Sequence, residues 1–174
     1  MGKASNFIWY QDSDHVDGFC TNPNGLFQKV PIMTDFAIHP QLTNDCILLG
    51  RFSCSYVLLM NNAGAPWIIL VPQNTVGATE LTDLPHDEQQ QLLQEANLVA
   101  GIVKAQPGVE KLNIAALGNI VPQLHLHIVG RSPSDYCWPK LVWASDPGPR
   151  YEDAAIAVWR DLFSQVAGFS AAGL

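Results

Sequence analysis

Residues 122–131 read Pro-Gln-Leu-His-Leu-His-Ile-Val-Gly-Arg, and polar and branched apolar residues alternate along this stretch. The alternation predicts a strand over 123–129, because successive side chains of a strand point to opposite faces. One face then carries Gln123, His125 and His127. The apolar residues of the other face enter the core: Leu124, Leu126 and Ile128. A separation of about 6.5–7 Å between the two histidines lets one imidazole reach a phosphorus atom while the other lies near the phosphate oxygens.

Other short apolar runs predict the rest of a sheet. Runs at 46–49, 56–60 and 67–71 are separated by turn-forming residues, and a further run at 111–117 precedes the histidine strand. Gly118-Asn119 is expected to form a hairpin-type turn between these last two strands. The sequence therefore predicts an antiparallel sheet of about five strands.

Two helices complete the predicted fold. Acidic residues after Pro85 suit the first turn of a helix, and Pro107-Gly108 supplies its end. Apolar residues of this helix, over 85–106, repeat at spacings of three and four: Leu92, Ala96, Val99 and Val103. A last helix near 151–167 has one apolar face: Ile156, Trp159, Leu162, Phe163 and Val166. The fold class is α+β, with the 85–106 helix packed on the sheet and a C-terminal helix.

The ends of the chain differ in character from this predicted body. Residues 1–35 contain turn-forming residues with little periodicity, and we predict an N-terminal extension or arm there. Residues 36–174 are predicted to form one domain with a C-terminal tail helix. Four prolines between 133 and 149 exclude long regular structure. This extended segment, with Trp138 and Trp143, is expected to wall a pocket or to cover a sheet edge.

Composition excludes several classes of protein. The formal net charge is −7 with only nine Lys plus Arg, so no basic stripe is available for a polynucleotide or an anionic membrane. A small anion can still be held by a few oriented N–H groups. No apolar run reaches the ~18 residues that span a bilayer, and residues 1–10 lack the apolar part of a signal peptide, so we expect a cytoplasmic protein. The four cysteines form no CxxC pair and are predicted to be separate thiols.

The histidine segment resembles the signature of the histidine-triad (HIT) superfamily. That signature is His-x-His-x-His followed by two hydrophobic residues, and here Gln123 replaces the first histidine. Residues 58–62 followed by 66–72 are similar to the strand pair that contacts ribose in the family. Trp138-Pro139 resembles the Trp-Pro tail of one branch, and the matching region resembles the diadenosine polyphosphate hydrolase-like branch. The resemblance covers about 36–143, so 36–174 is predicted to be a HIT-like domain.

This resemblance implies an enzyme acting at the α-phosphate of dinucleoside polyphosphates or nucleoside phosphoramidates. His125, which matches the middle histidine, would attack the phosphorus and form a nucleotidyl-histidine intermediate that water resolves. His127 would donate to a phosphate oxygen or to the leaving group, and Asn119 with Gln123 would add neutral donors. The residues assigned to substrate binding are Asn61, Asn62, Asn113, Asn119, Trp67 and Trp138. The resemblance also implies a small-molecule nucleotide as ligand, a homodimer with a sheet continued across its interface, and no cofactor.

Two alternatives stay open at this point. Gln123 and Trp67 cannot titrate, and Trp67 occupies a position where well-known branches have another histidine, which favours a catalytically weakened nucleotide-binding module. Two histidines on one strand also suit Zn²⁺ and need one further ligand, as in an HxH metal enzyme. The candidates for that ligand are His15, His39, His86 and the cysteines.

Overall fold

The computed structural model describes residues 18–21 and 27–30 as backbone, and residues 36–74 and 77–173 in full. The chain divides into two units, with the boundary between Phe36 and Ala37. In the first unit, β1 (Gly18–Thr21) and β2 (Phe27–Val30) pair as an antiparallel two-stranded sheet. The sequence did not predict these two strands. The interpretation of 1–35 as an arm stays a prediction.

The second unit is built on an open antiparallel sheet, which confirms the predicted α+β fold. Its strands are β3 (Cys46–Arg51), β4 (Ser55–Met60), β5 (Trp67–Pro72), β6 (Lys111–Ala116), β7 (Leu126–Arg131) and β8 (Ser170–Ala171). The strand order is β6-β7-β5-β4-β3-β8, so the sheet has six strands where about five were predicted. The sixth is the short β8, which pairs with Gly50 and Arg51.

Three helices accompany the sheet: α1 (Pro40–Asp45), α2 (His86–Lys104) and α3 (Asp153–Ser164). The predicted 85–106 and 151–167 helices are therefore confirmed with slightly shorter bounds. α1 was not predicted because it contributes one buried residue, Leu42, and so has no apolar periodicity. None of the described helices is long and apolar enough to cross a membrane.

The core lies between α2 and the sheet. It combines buried residues of α2 with residues of β4, β5 and β7: Leu92, Ala96, Val99, Val103, Leu59, Ile68, Leu70 and Ile128. Trp159 and Phe163 of α3 belong to the same cluster. Burial of these side chains is the main force that holds the helices on the sheet.

A buried carboxylate fastens α2 to the connection between β3 and β4. Glu95 is 4% exposed, and its Oε1 accepts hydrogen bonds from the Cys54 backbone N–H at 2.8 Å and from the Ser53 hydroxyl at 3.1 Å. Its Oε2 accepts from the Ser55 hydroxyl. Because both oxygens accept hydrogen bonds, this buried polar group is satisfied at the helix-to-sheet contact.

The predicted strand over 123–129 begins later than expected, at Leu126. β6 and β7 pair as antiparallel neighbours, as the predicted hairpin requires. Residues 117–125 connect them, so the connection is longer than a tight turn at Gly118-Asn119. The backbone N–H of Leu124 donates to the carbonyl of Ala78 at 2.9 Å rather than to a neighbouring strand. This bond draws the chain away from the β6 ladder until Leu126.

Candidate functional site

The start of β7 brings the two histidines together. His127 lies in the strand, opposite Ile69 of β5 and Ala115 of β6, and His125 directly precedes the strand. Each side chain is 5% exposed, and the ring centroids are 4.8 Å apart with nearly perpendicular planes. The predicted adjacency of the two imidazoles is confirmed.

The protonation of His125 follows from its partner. The distance from its Nδ1 to the backbone oxygen of Gln123 is 2.7 Å. A carbonyl oxygen can only accept, so Nδ1 carries the proton. In the neutral imidazole the lone pair of His125 is then on Nε2, which is the form that acts as a nucleophile or base.

His127 has the opposite tautomer. The indole Nε1 of Trp67 donates to Nδ1 of His127 at 3.0 Å, and an indole N–H can only donate. Nδ1 of His127 therefore holds the lone pair, and its Nε2 carries the proton. Burial, together with the neighbouring His125, lowers the pKa of His127 to about 3. His127 is thus an uncharged hydrogen-bond donor near neutral pH.

A second indole lies against this pair. Trp143 packs edge-on against His127 and Trp67, with ring centroids at 5.5 Å and 5.9 Å. Its own Nε1 is buried without a partner among the described residues. We call Trp67, His125, His127 and Trp143 the histidine cluster. Trp143 brings the proline-rich 133–149 segment into contact with the histidines, and the role of that segment as the wall of a pocket stays a prediction.

Gln123 contributes to the cluster through its backbone. Its side-chain Nε2 donates to the carbonyl of Ala37 at 2.9 Å, and its Oε1 accepts from the backbone N–H of His39 at 2.8 Å. The amide thus holds the segment that leads into α1, while the carbonyl orients His125. The hydrogen bond to His125 is independent of the side chain at position 123. Asn119, another predicted donor, is exposed in the connection before β7.

The other end of β7 carries a different group, which we call the arginine cluster: Arg131, Asn113, Asp135, Trp138 and the carbonyl of Lys140. Arg131 is 2% exposed and forms an ion pair with Asp135 through Nε at 2.7 Å. It also donates to the Asn113 Oδ1 at 2.8 Å and to the Lys140 oxygen at 2.9 Å, and it lies 5.5 Å from the Trp138 ring. These bonds fold the loop after β7 against the strand.

The pKa of Asp135 reflects this pairing. Burial alone raises it, but hydrogen bonds from Arg131 and from the backbone N–H groups of Ser132 and Cys137 outweigh burial and hold the pKa below its usual value. Asp135 is therefore ionised near neutral pH. The substrate-binding predictions for Asn113 and Trp138 stay predictions, since the contacts of both residues here are with Arg131.

Asn61 and Asn62 lie at the end of β4, next to the loops that border the histidine cluster. Oδ1 of Asn61 accepts from the backbone N–H of Tyr151 at 3.0 Å. Asn62 accepts from the backbone N–H of Gly64 at 3.0 Å and donates to the Tyr136 hydroxyl at 3.2 Å. Both asparagines fasten loops, and their predicted contact with ribose stays a prediction.

The metal alternative finds no ligand set in the part of the chain that the structure describes. No group of three or more His, Cys, Asp and Glu side chains there could hold a metal ion. His39 accepts from the backbone N–H of Gln41 through its ring, and the His86 ring contacts Gln90. His15 lies outside the described residues. Cys46, Cys54 and Cys137 are free.

The fold and the site define an α+β protein that presents a pair of buried imidazoles at the start of a sheet strand. The HIT domain family matches residues 41–134, which is more than half of the chain. This chain therefore belongs to the HIT family. HIT proteins are generally nucleotide-binding hydrolases or transferases, and membership indicates this class of activity.

Solved structures agree with this assignment. A histidine triad protein from Bradyrhizobium japonicum is 36% identical, with a TM-score of 0.70 over 73% of this chain and 94% of that one. A second from Sinorhizobium meliloti is 37% identical, with a TM-score of 0.71 over 75% and 96%. A third from Marinobacter aquaeolei is 39% identical, with a TM-score of 0.69 over 74% and 93%. Among functionally curated proteins, none shows significant similarity to this chain.

Proposed function

We propose that this protein is a hydrolase or nucleotidyl transferase that acts at the α-phosphate of dinucleoside polyphosphates or nucleoside phosphoramidates. His125 forms a covalent nucleotidyl-histidine intermediate. The observation that supports this role is the hydrogen bond from Nδ1 of His125 to the carbonyl of Gln123, because it leaves the lone pair on Nε2. A neutral imidazole with a free nitrogen is the form that attacks phosphorus.

The reaction proceeds in two displacements at the same phosphorus atom. In the first, His125 Nε2 bonds to the α-phosphorus and the leaving group departs. In the second, water or another acceptor attacks the nucleotidyl-histidine and releases His125. His127 donates its Nε2–H to a non-bridging phosphate oxygen as negative charge concentrates there. Removal of one such donor typically slows a reaction by about 10²–10³-fold.

Asn61 and Asn62 are the proposed ribose contacts. An amide oxygen has two lone pairs, and the structure fills one on each asparagine with a backbone N–H. The second lone pair is free to accept from a ribose hydroxyl. Because Asn62 is only 5% exposed and Asn61 is more exposed, Asn61 is the better placed of the two for a nucleotide.

The same proposal includes a cytoplasmic homodimer with a continued sheet. β6 lies at one end of the described six-stranded sheet, and its Ile114 is 48% exposed. An exposed strand edge with an apolar side chain is a common pairing surface. Light scattering coupled to size exclusion tests this part separately, and a monomeric mass would contradict it.

Trapping of the intermediate tests the proposed chemistry. The protein is mixed with a dinucleoside tetraphosphate or a nucleoside phosphoramidate labelled at the α-phosphate with ³²P, and the reaction is quenched in base, where a phosphorus–nitrogen bond survives. We expect label on the wild-type protein and none on His125→Ala.

Two other outcomes would contradict this proposal. Label on His125→Ala equal to that on the wild type would place the nucleophile elsewhere. Absence of both label and product, with a mononucleotide still bound, would favour the catalytically weakened binding module that Gln123 and Trp67 suggest.

A further inference from the structure

We propose that Trp67 is a positioning residue that keeps His127 neutral and thereby restricts the enzyme to leaving groups that depart as anions. The inference rests on the proposed attack by His125 and concerns the bond that breaks opposite it. It predicts that phosphoanhydrides are cleaved and that phosphoramidates are poor substrates.

This inference is based on the geometry at His127. The Trp67 indole N–H occupies the Nδ1 lone pair at 3.0 Å, and both side chains are 5% exposed. A second proton on His127 would have to bind at Nδ1. It would replace a hydrogen bond with two N–H groups that face each other in a buried site. His127 can therefore donate a hydrogen bond through Nε2 but has no proton to release.

The other groups in contact with the imidazoles do not supply that proton either. Apart from the two imidazoles themselves, their hydrogen-bond and ring partners in the described part of the chain are the Gln123 carbonyl, which only accepts, and the rings of Trp67 and Trp143. An indole N–H does not titrate near neutral pH. Burial and the neighbouring His125 also lower the pKa of His127, which agrees with the geometry.

Whether the bond to phosphorus is cleaved then depends on the leaving group. Nε2 of His125 bonds to the α-phosphorus, and the electron pair of the breaking bond leaves with the bridging atom. A bridging oxygen of a polyphosphate leaves as a phosphate anion, which needs no proton. A bridging nitrogen of a phosphoramidate would leave as an amide anion unless it gains a proton. In the second step water bonds to phosphorus, the electron pair returns to Nε2 of His125, and the proton of the water passes to solvent.

The test uses substrates that share one nucleotidyl group and differ in the leaving group. A series of nucleoside 5′-aryl phosphates with phenols of decreasing acidity is compared by kcat/KM, next to a dinucleoside polyphosphate and a phosphoramidate. We expect a steep fall in kcat/KM as the pKa of the phenol rises. We also expect a preference for the polyphosphate over the phosphoramidate of about 10²–10⁴-fold, the usual contribution of a general acid.

Two substitutions of Trp67 separate positioning from packing. Trp67→His introduces a ring that can relay a proton, and it should make the dependence on phenol pKa shallower. Trp67→Phe keeps a ring but removes the donor from Nδ1 of His127, which can then bind a proton, so it should also make the dependence shallower. A lower rate for all substrates with an unchanged dependence on phenol pKa would mean that Trp67 only packs.

Equal turnover of phosphoramidate and polyphosphate, or a shallow dependence in the wild type, would overturn this inference and leave the nucleophile in place. If the wild type cleaves none of these substrates faster than His125→Ala, the proposed function and the inference fall together.

Discussion

The two clusters on β7 differ in charge. The difference distinguishes the groups that can react with a substrate from the groups that hold a loop in place. At the start of the strand, the histidine cluster holds two buried imidazoles of opposite tautomer, of which His127 is uncharged near neutral pH. At the end of the strand, Arg131 is just as buried but charged, and it is bound to Asp135, Asn113 and a carbonyl. The satisfied charges fix a loop, whereas Nε2 of each imidazole has no hydrogen-bond partner among the described residues and can contact a ligand.

The largest expected effect is on catalysis at the histidine cluster. His125→Ala removes the nucleophile, so we expect kcat to fall by ~10⁴-fold or more, as for other covalent enzymes that lose the attacking group. Steady-state kinetics with a dinucleoside polyphosphate measures it. A fall of less than tenfold would show that His125 does not form the intermediate.

The second largest expected effect is a loss of stability at the arginine cluster. Arg131→Met leaves the buried Asp135 carboxylate without its partner, and we expect a loss of about 3–5 kcal/mol in the free energy of unfolding. Lys140→Met is the matched control, because Lys140 contributes its backbone carbonyl and that carbonyl remains. Its effect should stay within about 0.5 kcal/mol. Equal effects in urea unfolding would contradict the role of the buried guanidinium.

A third effect concerns pH, and its sign follows from the neutral state of His127. The pKa of this residue is lowered from 6.5 to about 3, so in this interval the unfolded chain binds a proton that the folded chain does not. The stability contributed by neutral His127 is complete above pH 6.5 and is lost as the pH falls towards 3. The free energy of unfolding, measured between about pH 5 and 7 where Asp135 stays ionised, should fall more steeply for the wild type than for His127→Gln. Parallel curves would show that His127 is not buried as a neutral group.

The smallest effect compares the two indoles of the histidine cluster. Trp67→Phe removes the donor of a buried hydrogen bond and leaves His127 Nδ1 unsatisfied, whereas Trp143→Phe removes a donor that has no partner. Both changes delete the same ring atoms. We therefore expect Trp67→Phe to be less stable than Trp143→Phe by about 1–3 kcal/mol. Equal melting temperatures would indicate that the bond between Trp67 and His127 contributes nothing to stability.

Much of the fold could be predicted from periodicity. The strands β3 to β6 and the helices α2 and α3 have apolar residues at regular spacing, because each buries one face or both faces in the core. The shortest elements, α1 and β8, bury little and leave no such pattern. The start of β7 was missed because the bond from Leu124 to Ala78 joins distant parts of the chain.

The sequence could predict the paired histidines of the site but not their protonation or their hydrogen-bond partners. The alternation around His125 and His127 indicated a phosphate-directed pair, but their tautomers depend on partners that spacing cannot identify. Trp67 is sixty residues from His127 in the sequence and reaches it because β5 and β7 pair in one register. An arginine at the end of a strand is usually solvated, and the burial of Arg131 depends on the loop that folds back through Asp135.

The tautomers of the two histidines are the central claim of this account, and ¹⁵N chemical shifts of the imidazole nitrogens measure them directly. A long-range ¹H–¹⁵N correlation spectrum at neutral pH should show His125 protonated at Nδ1 and His127 protonated at Nε2, with the assignments made from His125→Ala and His127→Gln. A doubly protonated His127, or a proton on its Nδ1, would contradict both the hydrogen bond from Trp67 and the neutral active site that follows from it.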